Sequence, residues 1–299
     1  MSTHPLVIIL GPTASGKSSL AVKLAKQLDG EIISADSRQI YKGMDIGTGK
    51  ITKQDMEDVP HHLLDITTPD KVITLAEWQT LAKEKIKEIT NRNKLPLLAG
   101  GTGLYLSSII NWYDIPAHDL DHVLRKELEQ LPLQELQQRL KAKDPSSYQQ
   151  LDINNPRRII RALEYNLLTG KSFIEEQKKH PCPYELIIIG LAVDPTELQQ
   201  RIDKRINQMF NKGLIQEVEG LLKQYPKNSP AFSGIGYKET IALLDKQLTF
   251  PEAIKNTALA TRRYAKRQMT WFNNKIENIN WITESFEGKS SEIIKQLTR

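Results

Sequence analysis

Gly11-Pro12-Thr13-Ala14-Ser15-Gly16-Lys17-Ser18 fits the pattern G-x-x-x-x-G-K-[ST] at every position. Before it, Leu6–Leu10 is a short apolar run that reads as a buried strand. After it, Lys17 to Leu28 carries the spacing of a helix. A glycine-rich turn between strand and helix lets successive backbone N–H groups curl around an anion, and the helix N-terminus adds the positive end of its dipole. Lys17 is then placed to reach the outer phosphate and Ser18 to hold Mg²⁺. The stretch predicts a loop that binds a diphosphate or a triphosphate. It does not say which.

Working outward, Glu31–Ser34 reads as a second strand, and Leu95–Ala99 as another that ends in Gly100-Gly101. Between them, Thr74-Leu75-Ala76-Glu77 is a capping box opening a helix to about Asn91, with Leu75, Trp78, Ala82, Ile86 and Ile89 on one face. Strands alternating with helices imply a parallel sheet. After about Asn111 the pattern changes. From Asp119 to about Gln177 only helices are expected, broken at Pro132, Pro145 and Pro156. A strand returns at Tyr184–Val193, and Asp194-Pro195 then caps and opens another helix. The remainder reads as helical, with a short strand at Asn280–Thr283. The expected fold is α/β: a P-loop NTPase-like parallel sheet with helices on both faces, formed by residues 1–111 and 184–299, and an all-helical domain inserted at 112–183.

The chain has 299 residues, room for about two domains at ~150 residues each. One cysteine, Cys182, excludes an internal disulfide and a multi-cysteine zinc site. The longest apolar run, Leu186 to Val193, falls far short of the ~20 residues of a membrane span. No Lys or Arg precedes Lys17, and the first apolar run is too short for a signal peptide, so a cytoplasmic protein is expected. With 41 Lys+Arg against 36 Asp+Glu, the net charge of +5 is mild and gains meaning only through clustering.

The phosphate loop leaves the class of enzyme open. A GTPase needs Asn-Lys-x-Asp, and Asn93-Lys94, Asn211-Lys212 and Asn274-Lys275 all fail to continue it. Two carboxylates follow strands. Asp194 is accounted for as a helix cap. Asp36 sits at the carboxyl end of the sheet, where ligands of open α/β folds bind; its plainer reading is a loop carboxylate capping a turn.

Beyond the loop come Asp36-Ser37-Arg38-Gln39-Ile40-Tyr41, Met44-Asp45-Ile46-Gly47-Thr48, His61-His62-Leu63-Leu64-Asp65 and Gly100-Gly101-Thr102-Gly103-Leu104-Tyr105. Asn155-Pro156-Arg157-Arg158, Gly234-Ile235-Gly236-Tyr237-Lys238-Glu239 and Thr261-Arg262-Arg263-Tyr264-Ala265-Lys266-Arg267-Gln268 follow. In order and spacing they resemble the tRNA dimethylallyltransferase (isopentenyl-tRNA transferase) family of bacterial type, from about Leu6 to Trp271. Gly49 and Ile51 depart from that pattern, standing where members usually carry Ala and Pro.

The resemblance implies transfer of a dimethylallyl group from dimethylallyl diphosphate to N6 of the adenosine 3′-adjacent to a tRNA anticodon. The loop Gly11–Ser18 would hold the diphosphate leaving group, with Lys17 and Arg205 as its cations and Mg²⁺ at Ser18. Arg201, one turn from Arg205, could face the same anion. Asp36 would take the proton of the adenine amine. Ser37, Arg38, Gln39 and Thr102 would border the extruded base, and Tyr237 is a candidate stacking ring, flanked by Gly236 and Lys238. Contacts to the anticodon stem-loop would come from Arg125, Arg157, Arg158 and Arg161, and from the stripe Arg262, Arg263, Lys266 and Arg267. The His61-His62 pair reads as structural, because neighbours on a strand point opposite ways. A monomer is expected. Two rivals stay open: a P-loop kinase of small molecules or nucleosides using ATP, and a non-catalytic nucleotide-regulated RNA-binding protein.

Overall fold

The computed structural model describes residues 4–115 and 121–283. Strand β1 (Pro5–Leu10) runs into the glycine loop and helix α1 (Lys17–Gln27), followed by β2 (Gly30–Ser34). A loop with one turn of helix, α2 (Lys53–Met56), leads to the two-residue strand β3 (His61–His62), then α3 (Leu75–Asn91), β4 (Leu95–Gly100) and α4 (Gly103–Ile110). The strands are parallel and lie in the order β3-β2-β4-β1, continued by β5 (Glu185–Leu191) and β6 (Asn280–Ile282). In a parallel sheet every strand ends at the same edge, so the loops after β1, β2, β4 and β5 meet there.

The alternation of buried faces explains this sheet. Val7, Ile9, Ile32, Leu97 and Ile189 share a cluster with Leu20, Ala21, Val22, Leu24 and Ala25 of α1. The alternate residues Leu6, Ile8, Leu10, Ile33 and Leu98 are equally buried, so the strands read as unbroken apolar runs. Each such side chain contributes about 1.5–3 kcal/mol. Thr74 caps α3 as its sequence predicts: its hydroxyl accepts the Glu77 N–H at 3.2 Å, and Glu77 accepts the Thr74 N–H at 2.7 Å. Trp78, Ala82, Ile86 and Ile89 form the buried face of α3.

The chain divides into two compact units, Met1–Ile110 with Cys182–Arg299, and Asn111–Pro181. The second contains α5 (His122–Glu129), α6 (Leu133–Lys143), α7 (Pro145–Gln150), α8 (Pro156–Thr169) and the single turn α9 (Phe173–Glu176). Its own core includes Leu128, Leu136, Leu140, Ile159, Ile160 and Leu163. The three prolines start helices rather than merely ending them: Pro132 is an N-cap, and Pro145 and Pro156 are first residues. Of the region expected helical from Asp119, residues 119 and 120 lie outside the described residues.

The first unit closes with α10 (Pro195–Asn211), α11 (Leu214–Leu222), the 3₁₀ turn Pro230–Ser233, α12 (Tyr237–Leu244) and the long α13 (Phe250–Lys275). Asp194 caps α10, accepting the N–H of Thr196 at 2.9 Å and of Glu197 at 3.1 Å, so its role as a cap is seen directly. Among the described residues, no helix is long and apolar enough to cross a membrane.

Candidate functional site

At the carboxyl edge of the sheet lies a cavity of about 440 Å³. The glycine loop forms its floor through Thr13, Ala14, Lys17 and Ser18. Two glycines make that turn. Gly16 adopts φ +92°, a left-handed conformation that L side chains rarely take, and a Cβ on Gly11 would lie 3.1 Å from the Leu191 carbonyl. Lys17 folds back so that Nζ donates to the Pro12 carbonyl at 2.6 Å. Burial lowers its pKa to about 8; Asp36 opposes that shift and Arg205 adds to it.

Asp36 follows β2, and its Oδ1 accepts the Arg38 N–H at 2.8 Å, so it caps the turn. It also lines the cavity, with Ser37, Arg38 and Gln39. The turn-capping reading of Asp36 is thus seen directly, and its carboxylate also borders the cavity. Thr102 stands behind this turn rather than in the lining: its Oγ1 accepts the Ser37 N–H at 2.9 Å. Ala35 receives the Thr102 N–H at 3.1 Å, stitching the ends of β2 and β4 together.

From α10, Ile202, Arg205, Ile206 and Met209 enter the cavity at the i, i+3, i+4, i+7 spacing of one helical face. Arg205 donates to the Gly49 carbonyl at 3.2 Å, and burial lowers its pKa while Asp36 raises it. The unusual glycine has a physical counterpart: at φ +58°, a Cβ on Gly49 would fall 1.7 Å from Arg205 Nη2. Arg201 does not join Arg205. It turns to Glu197, 2.7 Å away on its own helix, which corrects the expectation that both arginines face one anion.

Two further expectations need correction. Tyr237 borders the cavity but is only 1% exposed, and its phenol donates to Glu217 at 2.6 Å. Its ring is packing, with no free face for a base, and burial followed by the Glu217 charge raises its pKa. Tyr264 also lines the cavity and is less deeply buried; it is hydrogen-bonded to Thr102 and pushed up to about 12 by burial and then by Asp36. Arg262 belongs to the predicted stripe but points the other way, pairing with Asp203 of α10 at 2.5 and 2.6 Å.

The other stripe residues remain outward. Arg263, Lys266 and Arg267 line a groove of about 540 Å³ on α13 with Thr270, Trp271, Asn274 and Lys275, and Arg267 reaches the cavity as well. Lys238 lines the cavity, while Gly236 caps α12 at φ +92°. Arg125, Arg157, Arg158 and Arg161 lie in the second unit. There Arg157 and Arg158 are exposed, and Arg125 is tied to Glu164 and Glu129 at 3.1 Å each. His62 Nε2 lies 2.7 Å from Glu31, and His61 Nδ1 lies 2.8 Å from the Val59 carbonyl.

The reading of residues alone missed Gln268, Glu217, Tyr264, Thr257, Thr261 and the apolar face of α10. The α10 spacing was visible but matches any core helix. Glu217 gives no local signal. It gathers the N–H groups of Asp45, Ile46 and Gly47 at 3.0, 2.6 and 3.1 Å, and so holds the loop that carries the Gly49 carbonyl.

The family model described as IPP transferase matches residues 39–275. The chain belongs to that family. It is 45% identical to the tRNA dimethylallyltransferase of Anoxybacillus flavithermus over 298 residues, covering 97% of this chain and 94% of the relative. A solved tRNA isopentenylpyrophosphate transferase from Bacillus halodurans superposes with TM-score 0.74 at 42% identity, covering 99% of this chain and 96% of that one. A eukaryotic dimethylallyltransferase acting on tRNA gives TM-score 0.82 at 28% identity, with 98% and 78% covered. In this member of the family, the glycine loop, the Asp36 carboxylate and one face of α10 line one cavity.

Proposed function

We propose that the chain is a tRNA dimethylallyltransferase, moving the dimethylallyl group of dimethylallyl diphosphate to N6 of the adenosine 3′-adjacent to the anticodon and releasing diphosphate. The observation that carries this reading is one cavity lined by the glycine loop with Lys17, the Asp36 carboxylate, the Arg205 cation and the apolar side chains Ile202, Ile206 and Met209.

The chemistry follows from what each group can do. Rupture of the allylic C–O bond leaves its electron pair on the diphosphate, where Lys17, Arg205 and the first-turn N–H groups of α1 stabilise the charge. The N6 lone pair forms the new bond to that carbon, and Asp36 takes the proton that N6 sheds. Ile202, Ile206 and Met209 offer the five-carbon group an apolar surface and keep water from an electrophilic carbon. The adenine must leave its stack to reach this depth, and the Tyr264 ring lies in the lining to meet it.

Mg²⁺ fits the donor set. Ser18, at the start of α1, lines the same cavity as the glycine loop and offers it a hydroxyl oxygen. That suits an ion that keeps its waters and binds mostly through phosphate oxygens, with Ser18 as protein ligand. Such an ion would add positive charge at the leaving group. The cations of α13 and of the second unit serve tRNA phosphates, and the protein works as a cytoplasmic monomer.

The test is direct. Protein, Mg²⁺ and tRNA lacking the modification are incubated with labelled dimethylallyl diphosphate, or with labelled ATP and small acceptors. Label moving from the prenyl diphosphate to tRNA supports the reading. Phosphate moving from ATP would establish a kinase instead, and RNA binding without turnover a binding protein.

A further inference from the structure

Helix α13 has two faces with different work. Outward, it exposes Arg263, Lys266 and Arg267. Inward, Tyr264 and Gln268, at i and i+4, bond loops at the sheet edge, while Trp271 at i+7 lies at the rim of the basic groove and bonds helix α4. Tyr264 reaches Thr102, which in turn holds Ser37 beside Asp36. Trp271 Nε1 donates to Ser107 Oγ at 3.1 Å. Gln268 makes the most consequential pair of bonds. Its Oε1 accepts the Thr13 N–H of the phosphate loop at 2.9 Å, and its Nε2 donates to the Gly101 carbonyl at 2.8 Å.

Gln268 is only 5% exposed, and both ends of its amide are used. The fit is close, since a Cβ on Gly101 would lie 2.2 Å from Gln268 Nε2. The bond also decides what Thr13 can do. Its N–H is committed to α13 instead of being turned toward an anion, so the curl of the loop is set partly from 255 positions away.

We propose that Gln268 is a positioning residue that couples RNA binding on the outer face of α13 to diphosphate binding in the loop. This rests on the reading of the cavity and of the basic groove given above. This coupling requires two states of the clasp, the loop held by Gln268 as seen here and the loop released. RNA phosphates on Arg263, Lys266 and Arg267 restrain α13 and favour the clasped state, so the loop is already ordered when the diphosphate arrives. Linkage makes the effect reciprocal.

Titration of inorganic pyrophosphate with Mg²⁺ tests this, with and without saturating anticodon stem-loop RNA, on wild type, Gln268→Leu and Gln268→Glu. Leu fills similar space without either bond; Glu keeps acceptance from Thr13 and loses donation to Gly101. In wild type, RNA should tighten pyrophosphate by about fivefold or more, at the lower end of ordinary couplings. In Gln268→Leu the factor should fall below about twofold while RNA affinity alone stays within about twofold of wild type, with Gln268→Glu between the two. If Gln268→Leu does not fold, the reduced factor in Gln268→Glu decides. Undiminished coupling in the variants, or none in wild type when both ligands bind, overturns the proposal. Failure of wild type to bind pyrophosphate or RNA overturns the reading of the site instead.

Discussion

Asp36 receives the Arg38 N–H on Oδ1 and lies close enough to the half-buried cations Lys17 and Arg205 to raise the pKa of each. Asp36→Asn keeps an oxygen for Arg38, but an amide takes no proton near neutral pH. Single-turnover transfer should fall by roughly 10²–10⁴-fold, the usual range for one general base, with the affinities for both substrates much less changed. Rescue by raised Mg²⁺ would make Asp36 a metal ligand; a lower melting temperature with near-normal rate would make it structural. Lys17 supplies a second residue-level test. Burial brings its pKa down from 10.5 to about 8, so its charge is present below that pH and lost above it. An anion binds the protonated form, so pyrophosphate affinity should be flat just below pH 8 and weaken by about tenfold per unit above it. In Lys17→Ala the break should vanish and affinity should be low throughout, with RNA binding nearly intact. A wild-type affinity flat through pH 9 would show that Lys17 titrates higher, and an undiminished affinity in Lys17→Ala would remove Lys17 from the anion.

On the scale of an element, α13 decides which basic residues are available. Arg263, Lys266 and Arg267 are exposed, whereas Arg262 is spent on Asp203. Lys266→Glu with Arg263→Glu should raise the KM for tRNA and flatten its salt dependence by about 0.7–0.9 in log–log slope per lost phosphate contact. Arg262→Ala should leave that slope alone and instead lower the melting temperature, because a tie between α10 and α13 is lost. The pair is about one-third exposed, so the loss is expected at roughly 1 kcal/mol or less. A salt slope that responds to Arg262 and ignores Lys266 would reverse the assignment.

For the whole molecule, the second unit carries its own core, and its two ends are tied within it. Asp114 donates to the Lys178 carbonyl at 2.9 Å, and His180 to that of Asn111 at 3.3 Å. Replacing residues 112–181 by a short Gly/Ser linker should therefore leave a cooperatively melting protein that binds pyrophosphate as before. RNA affinity should drop, and its salt slope should shrink by roughly two units if Arg157, Arg158 and Arg161 touch phosphates. Unchanged RNA binding by the shortened chain would show that the unit serves something else.

What the sequence determined alone is whatever depends on near neighbours. The glycine loop, the Thr74–Glu77 capping box and the Asp194 cap each close within a few residues, and the strands buried on both faces show as short unbroken apolar runs. Strand, turn and helix around Gly11–Ser18 could thus be placed from side-chain chemistry and spacing. The choice among partners far apart in the chain could not. Tyr237 and Tyr264 look equally eligible for a base in the sequence, yet one is fully buried on Glu217 and the other is only half-buried in the cavity lining. Arg262 sits in a uniform basic stripe, and only the packing of α13 on α10 brings it to Asp203, 59 positions away. Nothing near Gln268 announces Thr13. Local periodicity tells which face of a helix is buried, but which polar groups meet there is settled by where the helices dock and which buried donors and acceptors must be satisfied.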